Sequence, residues 1–162
     1  MKTKMLLSFL SGILVGVVLL AIVVWKMMPG MMLVVHESRY DSIEETCTAL
    51  KTAIEANGWS NPAIRDMNAT MEKHGVIMEQ PIRIVELCKA DYAKQVLTTN
   101  PEVSTLMPCA WGVYHGDDGK VYISGMNMGL MGKMFGGNIA RVMGGSVSVD
   151  EKRMLADVIV DQ

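Results

Sequence analysis

The sequence predicts an α+β fold: a two-layer sandwich of an antiparallel sheet packed on helices, preceded by one transmembrane helix. Three observations carry that expectation. Residues 5–25 (MLLSFLSGILVGVVLLAIVVW) hold no charge, and Lys2, Lys4 and Lys26 bracket them closely. Beyond this run, stretches with helical and with strand character interleave irregularly. They do so around one strong hairpin signal, Gly116-Asp-Asp-Gly119.

The uncharged run is about 31 Å long as a helix, against a hydrocarbon core of roughly 30 Å. A cleaved signal peptide has a shorter apolar centre followed by small residues at the cleavage site. Here the run ends in Val-Val-Trp-Lys-Met-Met with no A-x-A pattern, so it reads as an uncleaved anchor. Trp25 suits the membrane–water interface, and Lys26 can extend its ammonium into the headgroups. The expected organisation is a cytoplasmic tip over residues 1–4, a transmembrane helix over 5–26, a juxtamembrane hinge over 27–32 at Pro29-Gly30, and one domain over 33–162.

Lys2, Lys4 and the α-amino group lie on one side of the run, Lys26 and then Arg39 on the other. The positive-inside bias places the N-terminus in the cytoplasm and the domain in the periplasm, as a single-pass protein of the inner (cytoplasmic) membrane. Ser8, Gly12 and Gly16 recur every fourth residue, and small residues at that spacing let a second helix approach closely. The expected partners are therefore the lipid bilayer and either another copy of the chain or a membrane protein.

Taken in order, residues 31–38 read as a strand. Ser42-Ile-Glu-Glu45 is a capping box opening a helix over 42–56, with Ile43, Cys47, Leu50 and Ile54 on one face and Asn57-Gly58 as the stop. Residues 64–74 read as a second, shorter helical stretch. Residues 81–88 are β-branched and predict a strand; 91–99 suit a helix ended by Asn100-Pro101. Strands over 109–115 and 120–125 flank the hairpin signal, and a last helix runs over 150–160 with Asp150 as its cap.

Residues 125–145 (GMNMGLMGKMFGGNIARVMGG) are unusual. Drawn as a helix, Met128, Met131, Phe135, Ile139 and Val142 share one side, with Lys133 and Arg141 away from it. Such a face can lie on a bilayer or cover a partner, or it can cover the domain's own core, methionine filling irregular gaps.

Composition excludes several functions. Three of the fifteen basic residues precede residue 27, so the rest of the chain sets twelve against all seventeen acids, a net charge of about −5. Nucleic acid needs cations for its phosphates. Nucleotide is excluded as well: Gly132-Lys133 has Asn127 at the first Walker glycine position and Met134 at the hydroxyl position. No hydrolase elbow, HExxH, CxxC or CxxCH is present, so no catalytic residue, cofactor or resident metal is assigned.

Cys47 falls on a helix core face. Cys88 ends one expected strand and Cys109 begins another, so antiparallel pairing brings both to one end of the sheet. That pair suits a disulfide, a soft ion such as Cu(I), a haem or sulfur adduct, or simple burial.

The stretch from Ser42 through Gly58, then Ile84-Val-Glu-Leu-Cys88, Leu106-Met-Pro-Cys109 and Asp117-Asp-Gly-Lys-Val121, resembles the domain-of-unknown-function family 302 over residues 34–159. The resemblance implies a compact α+β fold, often self-associated, and no established activity. The expected function is thus a membrane-anchored, methionine-rich accessory domain acting by self-association or within a membrane complex. The alternative is a soft-ligand module at Cys88 and Cys109.

Overall fold

Ser42 is extended, and its hydroxyl accepts the Glu45 N–H at 3.1 Å. Helix α2 (Ile43–Ala56) therefore starts where the capping signal puts it, and Ile43, Cys47, Leu50 and Ile54 are all buried along it. It belongs to a computed structural model that describes the backbone of residues 2–160 and the side chains of 12–28 and 30–160. The chain divides after Met32 into two units.

The first unit is one helix, α1 (Lys2–Met32), which continues through Pro29 and Gly30 where a hinge over 27–32 was expected. An interior proline forfeits one backbone hydrogen bond, and the flanking methionines are good helix formers. Among the described residues no helix is long and apolar enough to cross a membrane. Residues 5–11 of the uncharged run, Ser8 among them, lie outside the described side chains. In the described part, Val15, Val18, Leu20 and Trp25 are all exposed, and a Cβ built at Gly12 or Gly16 meets nothing within 4 Å.

The second unit is an α+β domain with one antiparallel sheet in the order β1-β5-β4-β3-β2. Its strands are β1 (Leu33–Glu37), β2 (Ile64–Asp66), β3 (Ile82–Leu87), β4 (Cys109–His115) and β5 (Val121–Met126). Strand β2 and helix α3 (Met67–Glu72) replace the single helical stretch expected over 64–74, because Asp66 caps α3 by accepting the Ala69 N–H at 2.9 Å. The hairpin forms as expected: the Gly116 N–H donates to the Lys120 carbonyl at 2.8 Å, and Gly119 takes φ +79°.

Strand alternation divides the sheet into two faces. Val85, Leu87, Trp111, Val113, Val121 and Ile123 point to the inner face and are buried with α2. The outer face carries the pairs Leu33–Met126 and Ala110–Glu86 and the cross-strand row Val35–Ser124–Gly112–Ile84.

Helix α4 (Ala90–Leu97) and a 3-10 turn (Pro101–Leu106) join β3 to β4. After β5 come α5 (Met128–Phe135), the single turn α6 (Gly137–Ile139), a π-helical stretch (Ala140–Val147) and α7 (Ser148–Leu155). The segment drawn as one helix is thus bent, and of the two roles open to its apolar side the buried Met128, Met131, Ile139 and Val142 fit cover over the domain's own core, while Phe135 is exposed. Gly136 and Gly137 have positive φ and turn the chain. Gly132 then lies against Gly144 so closely that an added Cβ would sit 2.6 Å from the Gly144 backbone. The glycines fold the methionine stripe inward. Asp150 is likewise no cap: it lies within the first turn of α7 and is buried.

A candidate site at one end of the sheet

Leu87, the last residue of β3, pairs with Cys109, the first of β4. Cys88 follows directly, its backbone exchanging two 2.9 Å hydrogen bonds with Ser60. Antiparallel pairing therefore brings Cys88 and Cys109 to the same end of the sheet, where both line an apolar cavity of about 20 Å³. Met107 and Met143 line it too. This space holds one water-sized body, so a haem does not fit.

All three cysteines are free thiols. Burial pushes the Cys109 thiol up to about 12, with the charges of Glu151 and Cys88 adding to it. Burial also pushes Cys47 up to about 11, against the opposing Arg83 guanidinium. Both are neutral at pH 7, and a neutral thiol is a poor nucleophile. Cys47, on α2, is buried in the same core but does not line the cavity.

One wall of the cavity belongs to a charged cluster. Trp59 follows the end of α2, Lys89 precedes α4, Tyr92 lies on α4 and Asp150 on α7. Asp150 is 6% exposed. Its Oδ2 accepts from Trp59 Nε1 at 3.1 Å, Lys89 Nζ at 3.2 Å and Tyr92 Oη at 3.2 Å, while Oδ1 accepts from Arg153 Nη1 at 3.2 Å. The Lys89 ammonium also sits 4.7 Å from the Tyr92 ring centroid and 5.8 Å from that of Trp59. The two rings meet edge-on at 5.7 Å.

Burial opposes ionisation of Asp150, but the hydrogen bonds from Trp59 and Lys89 outweigh it and hold the carboxyl below its ordinary value. Burial also opposes the Lys89 charge, and the bond and charge of Asp150 overcome it, raising the ammonium. Each group stabilises the ionised form of the other. A lysine so held is protonated at neutral pH and is neither nucleophile nor base. The cluster's evident work is to pin α4, α7 and the end of α2 around the thiols.

Of the residues singled out from sequence, the structure brings Cys88 and Cys109 to one cavity and buries Met128, Met131, Ile139 and Val142. Gly12 and Gly16 belong to α1, in the first unit. Trp59, Lys89 and Tyr92 carry no site signal in the sequence, and Asp150 reads there as a helix cap; the local trace of the cluster is the Lys89–Tyr92 spacing across the start of α4. Among the described residues, no group of three or more His, Cys, Asp or Glu could hold a metal ion.

A single antiparallel sheet with helices on one face, and this sheet end, define a small α+β domain of one sheet and one core. Residues 34–158 match the family model described as "Domain of unknown function DUF302", and the chain belongs to that family. It is similar to the crystal structure of an uncharacterized conserved DUF302 protein from Bacillus stearothermophilus. That likeness has a TM-score of 0.65 and 20% identity, and covers 79% of this chain and 96% of that one. At this identity it speaks for the fold. No curated protein matches the chain.

Proposed function

We propose that the chain is a single-pass, membrane-anchored accessory protein whose periplasmic domain pairs with a second copy through the open face of its sheet. The observation that carries this reading is the chemistry of that face. An antiparallel sheet with one face toward water ordinarily alternates apolar inside and polar outside. Here Leu33 and Val35 are exposed and Ile82, Ile84 and Met126 half-buried on the outer face. Leu33, Ile82, Ile84 and Met126 surround a floor of Ala110, Gly112 and Ser124, forming a trough of about 510 Å³.

Apolar surface of this kind marks a contact site. Ion pairs frame it: Lys120 Nζ with Glu37 Oε1 at 2.8 Å, and Arg65 with Glu86. Both signs are present, so a twofold-related copy meets complementary charge. The anchor reading rests on the uncharged run and on α1, whose residues 12–25 are uncharged and exposed all round, as suits an apolar medium. Lys2 and Lys4 support the inward N-terminus.

Light scattering on the full chain in mild detergent tests the pairing. The expected result is a dimer, converted to monomer by Ile84→Glu with the domain still folded. A monomeric wild type, a dimer indifferent to Ile84→Glu, or a stoichiometric foreign partner in place of the second copy overturns it.

A second reading is favoured by the four sulfur-bearing side chains around one small cavity. It is a soft-ion module in which Cys88 and Cys109, with Met107 or Met143, take up Cu(I). Binding displaces the Cys109 proton, so uptake strengthens with pH. Anaerobic titration with Cu(I) against a chelator decides it; equal uptake by a Cys88→Ser/Cys109→Ser variant refutes it.

A further inference from the structure

A second cavity, of about 240 Å³, is bounded by β1, the start of α5 and α7. Met126, Met128 and Leu155 supply apolar walls, and His36, Ser148 and Glu151 supply polar groups. His36 Nδ1 is buried with no hydrogen-bond partner, the one such side-chain atom among the described residues. A buried polar atom needs a hydrogen-bond partner, and at a cavity wall His36 Nδ1 can take one from whatever occupies the cavity. Glu151 is half-buried and, among the described residues, makes no hydrogen bond or ion pair. Burial pushes its carboxyl up to about 7.

We propose that this cavity binds a small primary amine, its ammonium held by Glu151 and His36 and its apolar tail by Met126, Met128 and Leu155. An ammonium has three donors and no acceptor. The cavity offers what it needs: a carboxylate, the Ser148 hydroxyl, and an imidazole Nδ1 that accepts in the tautomer protonated at Nε2. A half-buried carboxylate lacking a countercharge is costly, and the guest supplies that charge. The other groups that bear on Glu151 leave the role free. Lys152 lies at the rim with its side chain exposed, and Cys109 is neutral at pH 7. A volume below the usual range for drug-sized ligands limits the guest to a few heavy atoms. The acidic domain, at about −5, attracts cations to it.

The test uses the full chain in detergent micelles, methionine-methyl NMR, and three probes: butylamine, butanol and butyrate. Butylamine is expected to shift the Met126 and Met128 signals saturably, and to bind about tenfold more tightly at pH 8 than at pH 6. A carboxyl titrating near 7 is about one-tenth ionised at the lower pH and nine-tenths at the higher. Glu151→Gln should weaken butylamine about tenfold at pH 8 and leave butanol unchanged, with the Met143 and Met154 signals reporting an intact core. Butanol or butyrate binding as tightly as butylamine, equal affinity at the two pH values, an unaltered Glu151→Gln variant, or no saturable shift overturns the proposal.

Discussion

Asp150 and Glu151 are neighbours on one helix turn, and their surroundings drive them in opposite directions. Asp150 is nearly inaccessible yet ionises below its ordinary value, because four donors converge on its two oxygens. Glu151 is less buried by exposed area yet is pushed up to about 7, because burial acts on it with no donor to offset the loss of water. Burial sets the cost of a charge; partners decide whether the charge is kept. One helix therefore carries a closed, self-satisfied carboxylate on one side and an open, unsatisfied one on the other. The first belongs to the architecture, the second to the wall of the amine cavity.

Removing each carboxyl should break that symmetry of sequence most plainly. Asp150→Ala leaves the Lys89 ammonium and the Trp59 N–H facing each other without their acceptor. Loss of one partner from a buried ion pair costs about 3–5 kcal/mol. Chemical denaturation of the detergent-solubilised chain should show a loss at the low end of that range, since Lys89 keeps partial access to water. Glu151→Ala should cost far less. Equal losses would mean that Asp150 is no more integrated than its neighbour.

The pH dependence of stability separates the two next. For Asp150 the folded value lies below the ordinary 3.8, so its contribution is present above that value and is lost as pH falls through the folded one. For Glu151 the folded value of about 7 lies above the ordinary 4.5. The native state binds the extra proton in that interval, so stability falls as pH rises from about 4.5 to about 7. A full shift of this size corresponds to about 3 kcal/mol, and the water that reaches the carboxyl reduces it to about 1–2 kcal/mol. Glu151→Gln should remove the decline near neutrality and keep the acid limb, whereas Asp150→Asn should blunt the acid limb and keep the decline. A neutral-range slope that survives Glu151→Gln assigns it to another group.

What was legible in the sequence follows the same division between local and distant causes. The Ser42 cap, the Gly116–Gly119 hairpin and the meeting of Cys88 with Cys109 each rest on residues close together or on strand pairing. The Asp150 cluster joins groups separated by 91, 61 and 58 positions, and only the folded chain brings them together. The methionine stripe was visible as a periodicity, but periodicity does not say which way a stripe faces. Backbone contact between Gly132 and Gly144 settles that, and a glycine carries no mark in sequence of what it will touch. Glu151 reads as an ordinary surface acid on α7; its unmet carboxyl and the orphaned His36 Nδ1 emerge only with the cavity.

The smallest effect reaches from the open carboxyl to the thiols. Burial is the chief cause of the raised Cys109 value, and the Glu151 charge is the next, so neutralising Glu151 should ease thiolate formation without exposing the sulfur. Alkylation by iodoacetamide, followed peptide by peptide by mass spectrometry, should modify half-buried Cys88 first and leave Cys109 largely intact at pH 8. In Glu151→Gln the Cys109 rate at high pH should rise about two- to threefold, the scale of a partly screened charge interaction, while the Cys88 rate stays the same. If both rates rise together, the substitution has loosened the sheet end. If neither changes, the field of Glu151 does not reach Cys109, and the thiol cavity and the amine cavity act independently.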